Sequence, residues 1–160
     1  MKTASLKELK HELGDRSPKE LLELCLRLSK FKKENKELLS YLLFEAADEA
    51  AFVESVKKEM EEQFSLINTS SYYFINKSVR KILRMAKKYI RYSPNKETEV
   101  ELLIYFCSEM AEIRPSIQDS LKLRNLYQRQ LKAIGKILSG LHEDLQYDYQ
   151  MELEHLEINI

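Results

Sequence analysis

Residues 72–92 read YYFINKSVRKILRMAKKYIRY, and the spacing inside this stretch decides the fold class. Val79, Ile82, Leu83, Ala86 and Ile90 recur every three or four residues, while Lys77, Arg80, Lys81, Arg84, Lys87, Lys88 and Arg91 occupy the rest of the circumference. That period is one apolar stripe on a 3.6-residue helix, not the two-residue alternation of a strand. Ser93-Pro94 ends the helix. Asn68-Thr69-Ser70-Ser71 before it is a cluster of side chains that compete for backbone hydrogen bonds, and it marks a break.

The same period extends in both directions. Leu6, Leu9 and Leu13 predict a short first helix closed by Gly14 as a left-handed residue. Ser17-Pro18-Lys19-Glu20 combines an N-cap, a proline in the first turn and a capping-box glutamate. Leu21, Leu22, Cys25, Leu28 and Phe31 are the expected buried face of the helix it opens. Asn35 is the expected cap of the next helix, whose Leu38, Leu39, Leu42 and Leu43 stripe continues through Phe52, Val56, Met60 and Phe64, with a bend near Ala47-Asp48. After Pro94 come Val100, Leu103, Cys107, Met110 and Ile113, interrupted at Pro115. The last stretch carries Leu121, Tyr127, Leu131, Ile134, Leu138, Leu141 and Leu145, with a C-terminal helix expected over 141–157. With three Gly, three Pro and no strand pattern, the chain reads as all-α, a compact antiparallel array of six or seven helices. At 160 residues it is expected to form one domain, 1–160, with halves 18–67 and 72–140.

The formal charge is zero, yet the charges are sorted. The net values are +3 over 1–44, −5 over 45–62, +8 over 63–96, −5 over 97–119, +5 over 120–142 and −6 over 143–160. Blocks of alternating sign specify either which helices lie side by side or a charged partner. No apolar run approaches a membrane span, and Met1 to Glu8 lacks the apolar core of a secretory leader, so a cytoplasmic protein is expected. Cys25 and Cys107 both fall on apolar stripes and are expected as core residues, not as a bridge or a reactive thiol.

Shifting the sequence by 64 residues superposes 27–47 on 91–111 without a gap, with nine identities that include Leu38/Leu102, Leu39/Leu103 and Tyr41/Tyr105. This predicts two divergent three-helix units. The helix-hairpin rhythm of 18–47 and 78–113 resembles the general plan of HEAT and armadillo-type helical repeats, although no signature motif is present and the period is longer. The resemblance implies a scaffold that binds proteins or nucleic acids and assigns no role to any residue.

Glu8-Leu9-Lys10-His11 and Glu152-Leu153-Glu154-His155 each place a carboxylate and an imidazole on one helical face, but both lie on charged segments and read as solvated surface. There is no phosphate loop, nucleophile elbow, HExxH or CxxC, so no enzyme, metal or cofactor is expected. The expected function is non-catalytic binding of a protein partner. The alternative is a nucleic-acid module working through Lys77, Arg80, Lys81, Arg84, Lys87, Lys88 and Arg91, with Tyr72, Tyr73, Tyr89 and Tyr92 as stacking rings. Against it stands pairing of those bases with the acidic blocks 45–62 and 97–119. Tyr127, Leu131, Ile134, Leu138, Leu141 and Leu145 form a short coiled-coil seam for a homodimer, with packing inside one chain as the favoured use.

Overall fold

The computed structural model describes residues 1–158. Among them are eight α-helices and no strand: α1 (Leu6–Gly14), α2 (Pro18–Phe31), α3 (Lys33–Ser40), α4 (Glu49–Ser65), α5 (Tyr72–Ile90), α6 (Lys96–Ala111), α7 (Leu121–Leu138) and α8 (Glu143–Ile158). A π turn, Tyr41–Glu45, follows α3, and a single 3-10 turn, Ile117–Asp119, precedes α7. The chain divides into two compact units, Met1–Phe44 and the residues from Glu45 onward.

In residues 1–44 local chemistry sets the helices. Ser5 with Glu8, and Ser17 with Glu20, form complete capping boxes at the starts of α1 and α2. These hydrogen bonds hold both glutamates below the ordinary carboxylate range. Gly14 does not terminate α1 in a left-handed conformation. It is the last helical residue, and no residue of the described chain has positive φ. Asn35 does not cap α3 either; its side-chain amide donates to Leu28 O at 2.9 Å and so satisfies the end of α2.

The expected buried face of α2 is the largest correction. Leu22, Leu28 and Phe31 are 59%, 61% and 77% exposed, and Cys25 is exposed as well. Leu38, Leu42 and Leu43 of the next stripe also face solvent, and Tyr41 is the one buried residue of the unit. Helices α2 and α3 pack on each other. Two helices shield only the positions between them, and a unit of this size has no third layer to cover the rest.

From Glu45 onward the fold is built around α6. Asp48 opens α4 by accepting from Ala51 N, where the bend was expected. Thr98, Val100, Leu102, Leu103, Ile104, Phe106, Cys107 and Met110 are all buried, so α6 is apolar on most of its circumference and needs several neighbours to cover it. Helices α4, α5, α7 and α8 surround it. Glu49 meets Thr98, Lys57 meets Glu101, and Phe64 meets Phe106, so α4 runs parallel to α6. Tyr149 meets Glu97 while Leu156 lies beside Ile104 and Ser108, so α8 runs the same way. Tyr127 donates to Leu156 O, and Leu153 lies 3.8 Å from where a Gly135 Cβ would stand, which sets α7 antiparallel to α8.

The segments related by the 64-residue shift have different surroundings. Leu39 is half-buried where Leu103 is buried, and Tyr41 is buried where Tyr105 is half-buried. One residue, Lys32, joins α2 to α3, whereas 91–95 join α5 to α6.

Burial ranks the consequences of truncation. Phe106→Ala should destabilise the protein by about 3–5 kcal/mol in urea unfolding, because its ring is fully buried against Phe64 on the central helix. Leu28→Ala should change stability by less than about 0.5 kcal/mol.

Candidate functional site

Helix α5 carries the sequence-predicted basic residues, and its stripe of Ile75, Val79, Ile82, Leu83, Ala86 and Ile90 turns them outward. Lys77, Arg80, Lys81, Arg84, Lys87 and Arg91 are all exposed. Among the described residues none of the six forms an ion pair with a carboxylate. Lys88 differs: it is half-buried and sits 4.7 Å from the Tyr89 ring centroid. The pairing with blocks 45–62 and 97–119 is thus absent along most of this face. The reason is rotational, since the stripe that meets α4 and α6 points the bases away from both.

Only one of the four flanking tyrosines is open to solvent. Tyr73 is 71% exposed and meets Phe74 edge-on, with centroids 5.3 Å apart. Tyr72 donates to Ser116 O at 2.8 Å, and burial together with the nearby Asp119 carboxylate raises its hydroxyl pKa. Tyr92 is buried, and Tyr89 donates to Glu59 while packing edge-on against Phe52 and Tyr92.

The start of α7 lies beside the start of α5, and Tyr72, Tyr73, Asn76, Lys77, Arg80, Ser120 and Lys122 line a groove between them. Arg80 Nε donates to Asn76 Oδ1 at 2.6 Å, while Asn76 Nδ2 is buried with no hydrogen-bond partner among the described residues. Along α7, Lys122, Arg129 and Lys136 follow one another at seven-residue steps, so they share a face, and all are exposed. Sequence reasoning recorded the +5 block over 120–142 but did not join it to α5. The missing information was topological, because α6 separates the two helices in the chain and brings them together in space.

The opposite side of α6 is acidic. Lys57, Glu101, Tyr105, Ser108, Tyr149 and Glu152 line a groove between α4 and α8. Lys57 Nζ lies 2.6 Å from Glu101 and 2.8 Å from Glu54. Burial acts to lower the Lys57 pKa, but the bonds to these two carboxylates outweigh it and hold the ammonium above its ordinary range. Glu109 is raised by burial and then by Glu61 and Glu112, and Tyr149 is raised by burial and then by Glu101.

The remaining sequence-predicted residues are placed elsewhere. Tyr127, Leu131, Ile134 and Leu138 are buried within the chain beneath α6 and α8, and Leu141 and Leu145 are half-buried, so this seam is not a free surface. Cys107 is buried, which pushes its thiol up to about 12. The side chains of His11 and His142 are about three-quarters exposed, each beside an aspartate, and His155 lies at the rim of the acidic groove. No group of three or more metal-ligating side chains assembles among the described residues. Among those residues no helix is long and apolar enough to cross a membrane. Comparison with known proteins gives no match: no family model, no curated protein and no solved structure resembles the chain.

The crowded acids make stability depend on pH. The folded chain holds Glu109 above the ordinary carboxylate range, so its ionised form costs stability at neutral pH, and the cost disappears as pH falls below that range. Glu109→Gln should therefore raise the urea midpoint at about pH 7 and give no gain near about pH 4.

Proposed function

We propose that this chain is a non-catalytic protein-binding module whose docking element is the helical hairpin of residues 18–44. The observation that supports this most strongly is the number of exposed apolar side chains on that hairpin: Leu22, Leu28, Phe31, Leu42, Leu43 and Phe44 are each more than half exposed. Apolar side chains gathered in this number on one small unit are the signature of an interaction surface.

The 64-residue relation indicates what covers them. In this proposal 27–47 and 91–111 are divergent copies of one unit. Leu102, Leu103 and Cys107 are buried under neighbouring helices, while the matching Leu38, Leu39 and Leu43 are exposed or half-buried. Positions that helices cover in one copy await helices in the other. The partner is accordingly a helical segment with an apolar face, recognised by helix-against-helix packing. Arg27, Lys30, Lys32 and Lys36 are exposed around the hairpin, which favours acidic residues flanking the partner's apolar face, while Lys33 pairs with Glu37 at 3.5 Å. An exposed, unpaired Cys25 fits a reducing, cytoplasmic setting, which belongs to the same proposal.

Three labelled peptides of about 20 residues test this by fluorescence anisotropy with the full chain: a leucine-seam helix flanked by glutamate, the same seam flanked by lysine, and a scrambled control. The glutamate-flanked peptide should bind below about 100 μM and weaken at least about tenfold with Leu28→Glu or Leu43→Glu. Equal binding of the scrambled peptide, no binding of any peptide, or a dimer in sedimentation that both substitutions dissolve would overturn the proposal, the last because a second copy would then be the occupant.

A further inference from the structure

We propose that the face formed by α5 and α7 is a binding site for single-stranded nucleic acid, with phosphates tracked along α5 and one base stacked on Tyr73 at the mouth of the α5/α7 groove. This does not depend on the hairpin of residues 18–44.

The first support is alignment. Tyr73, Lys77, Arg80, Arg84, Lys87 and Arg91 follow one another at steps of four and three, so they form a single line down α5. The line is about 27 Å long, the length of about eight stacked nucleotides at ~3.4 Å each. Every base in it is exposed, and none is neutralised by a carboxylate among the described residues. Lys122, Arg129 and Lys136 give α7 a second line, and the groove residues put Lys122 beside the start of the first.

The second support is the groove itself. It joins three bases, Lys77, Arg80 and Lys122, to a largely exposed aromatic ring, Tyr73. A phosphate needs the basic side chains, and a nucleobase needs the ring. An acidic protein segment would use the charges alone. Sequence-tolerant stacking on one aromatic ring favours an unpaired strand over a duplex, whose bases are already stacked. Glu101 and Glu152 lie on the α4/α8 side, away from this face, while Asp119 beside Tyr72 is a carboxylate near the groove that the three bases outnumber.

The test is anisotropy of a labelled dT20 strand with the full chain, beside a duplex of equal length and a poly-glutamate peptide of equal charge. Wild type should bind dT20 saturably at about 20 mM salt, with affinity falling by ~0.7 log units per log unit of salt for each phosphate neutralised. Tyr73→Ala should weaken dT20 binding about 5- to 100-fold while Tyr73→Phe keeps it. The triple change Lys77→Gln, Arg80→Gln and Lys122→Gln should abolish binding with helicity by circular dichroism unchanged, since all three side chains are exposed. The proposal is overturned by an absence of dT20 binding at low salt, by Tyr73→Ala binding like wild type, or by the duplex or poly-glutamate binding as tightly as dT20. Should the triple variant lose helicity, the Tyr73 pair and the comparison of probes decide the matter alone.

Discussion

The burial of α6 on nearly all sides is the constraint on which the larger unit depends. A helix that buries Thr98, Val100, Leu102, Leu103, Ile104, Phe106, Cys107 and Met110 leaves the strip of Glu101, Tyr105 and Ser108 to water. It must be enclosed, and four amphipathic helices are the means. Each contributes one apolar stripe and turns its polar face outward, as α5 does with Val79, Ile82, Leu83, Ala86 and Ile90. Hydrogen bonds between α6 and its neighbours fix the register, through Thr98 on Glu49 and through Tyr149 on Glu97, and Ser93 just before α6 also donates to Glu49.

Enclosure also sorts the charge. Helices α4 and α8 run parallel to α6 and meet across the Glu101–Tyr105 side, whereas α5 and α7 approach each other near Tyr72 and Lys122 on another side. The alternating blocks along the sequence therefore become two faces in space. Burial, reinforced by the Glu61 and Glu112 carboxylates, holds Glu109 above its ordinary range, which is a cost in stability at neutral pH. A surface that keeps like charges together at such a cost is suited to steering a charged partner.

The helices were legible in sequence because caps and periodicity act over a few residues. The Ser17/Glu20 box, the α5 stripe and the break at Pro94 each needed only their neighbours in the chain. Burial was not legible in the same way. The stripes Leu21–Phe31 and Val100–Met110 look alike in sequence, but only the second is covered by several neighbouring helices, so Leu28 and Cys25 are exposed where Leu103 and Cys107 are buried. Periodicity reports which residues share a face and says nothing of what covers it. The basic line on α5 was readable, since it lies within one helix, while the approach of Lys122 to its start required the topology around α6.

The central claim is that Arg80, Arg84, Lys87 and Arg91 of α5 are turned to solvent and meet no carboxylate among the described residues, because burial of the opposite stripe against α6 and α4 dictates it. Urea unfolding of the variant with Arg80, Arg84, Lys87 and Arg91 all changed to glutamine tests this most directly, for these side chains contribute either to stability or only to the outer surface. The account predicts an unchanged or slightly raised midpoint, as four mutually repelling charges are removed. A loss of stability greater than about 2 kcal/mol would show that they pair with acids inside the fold and would contradict the account.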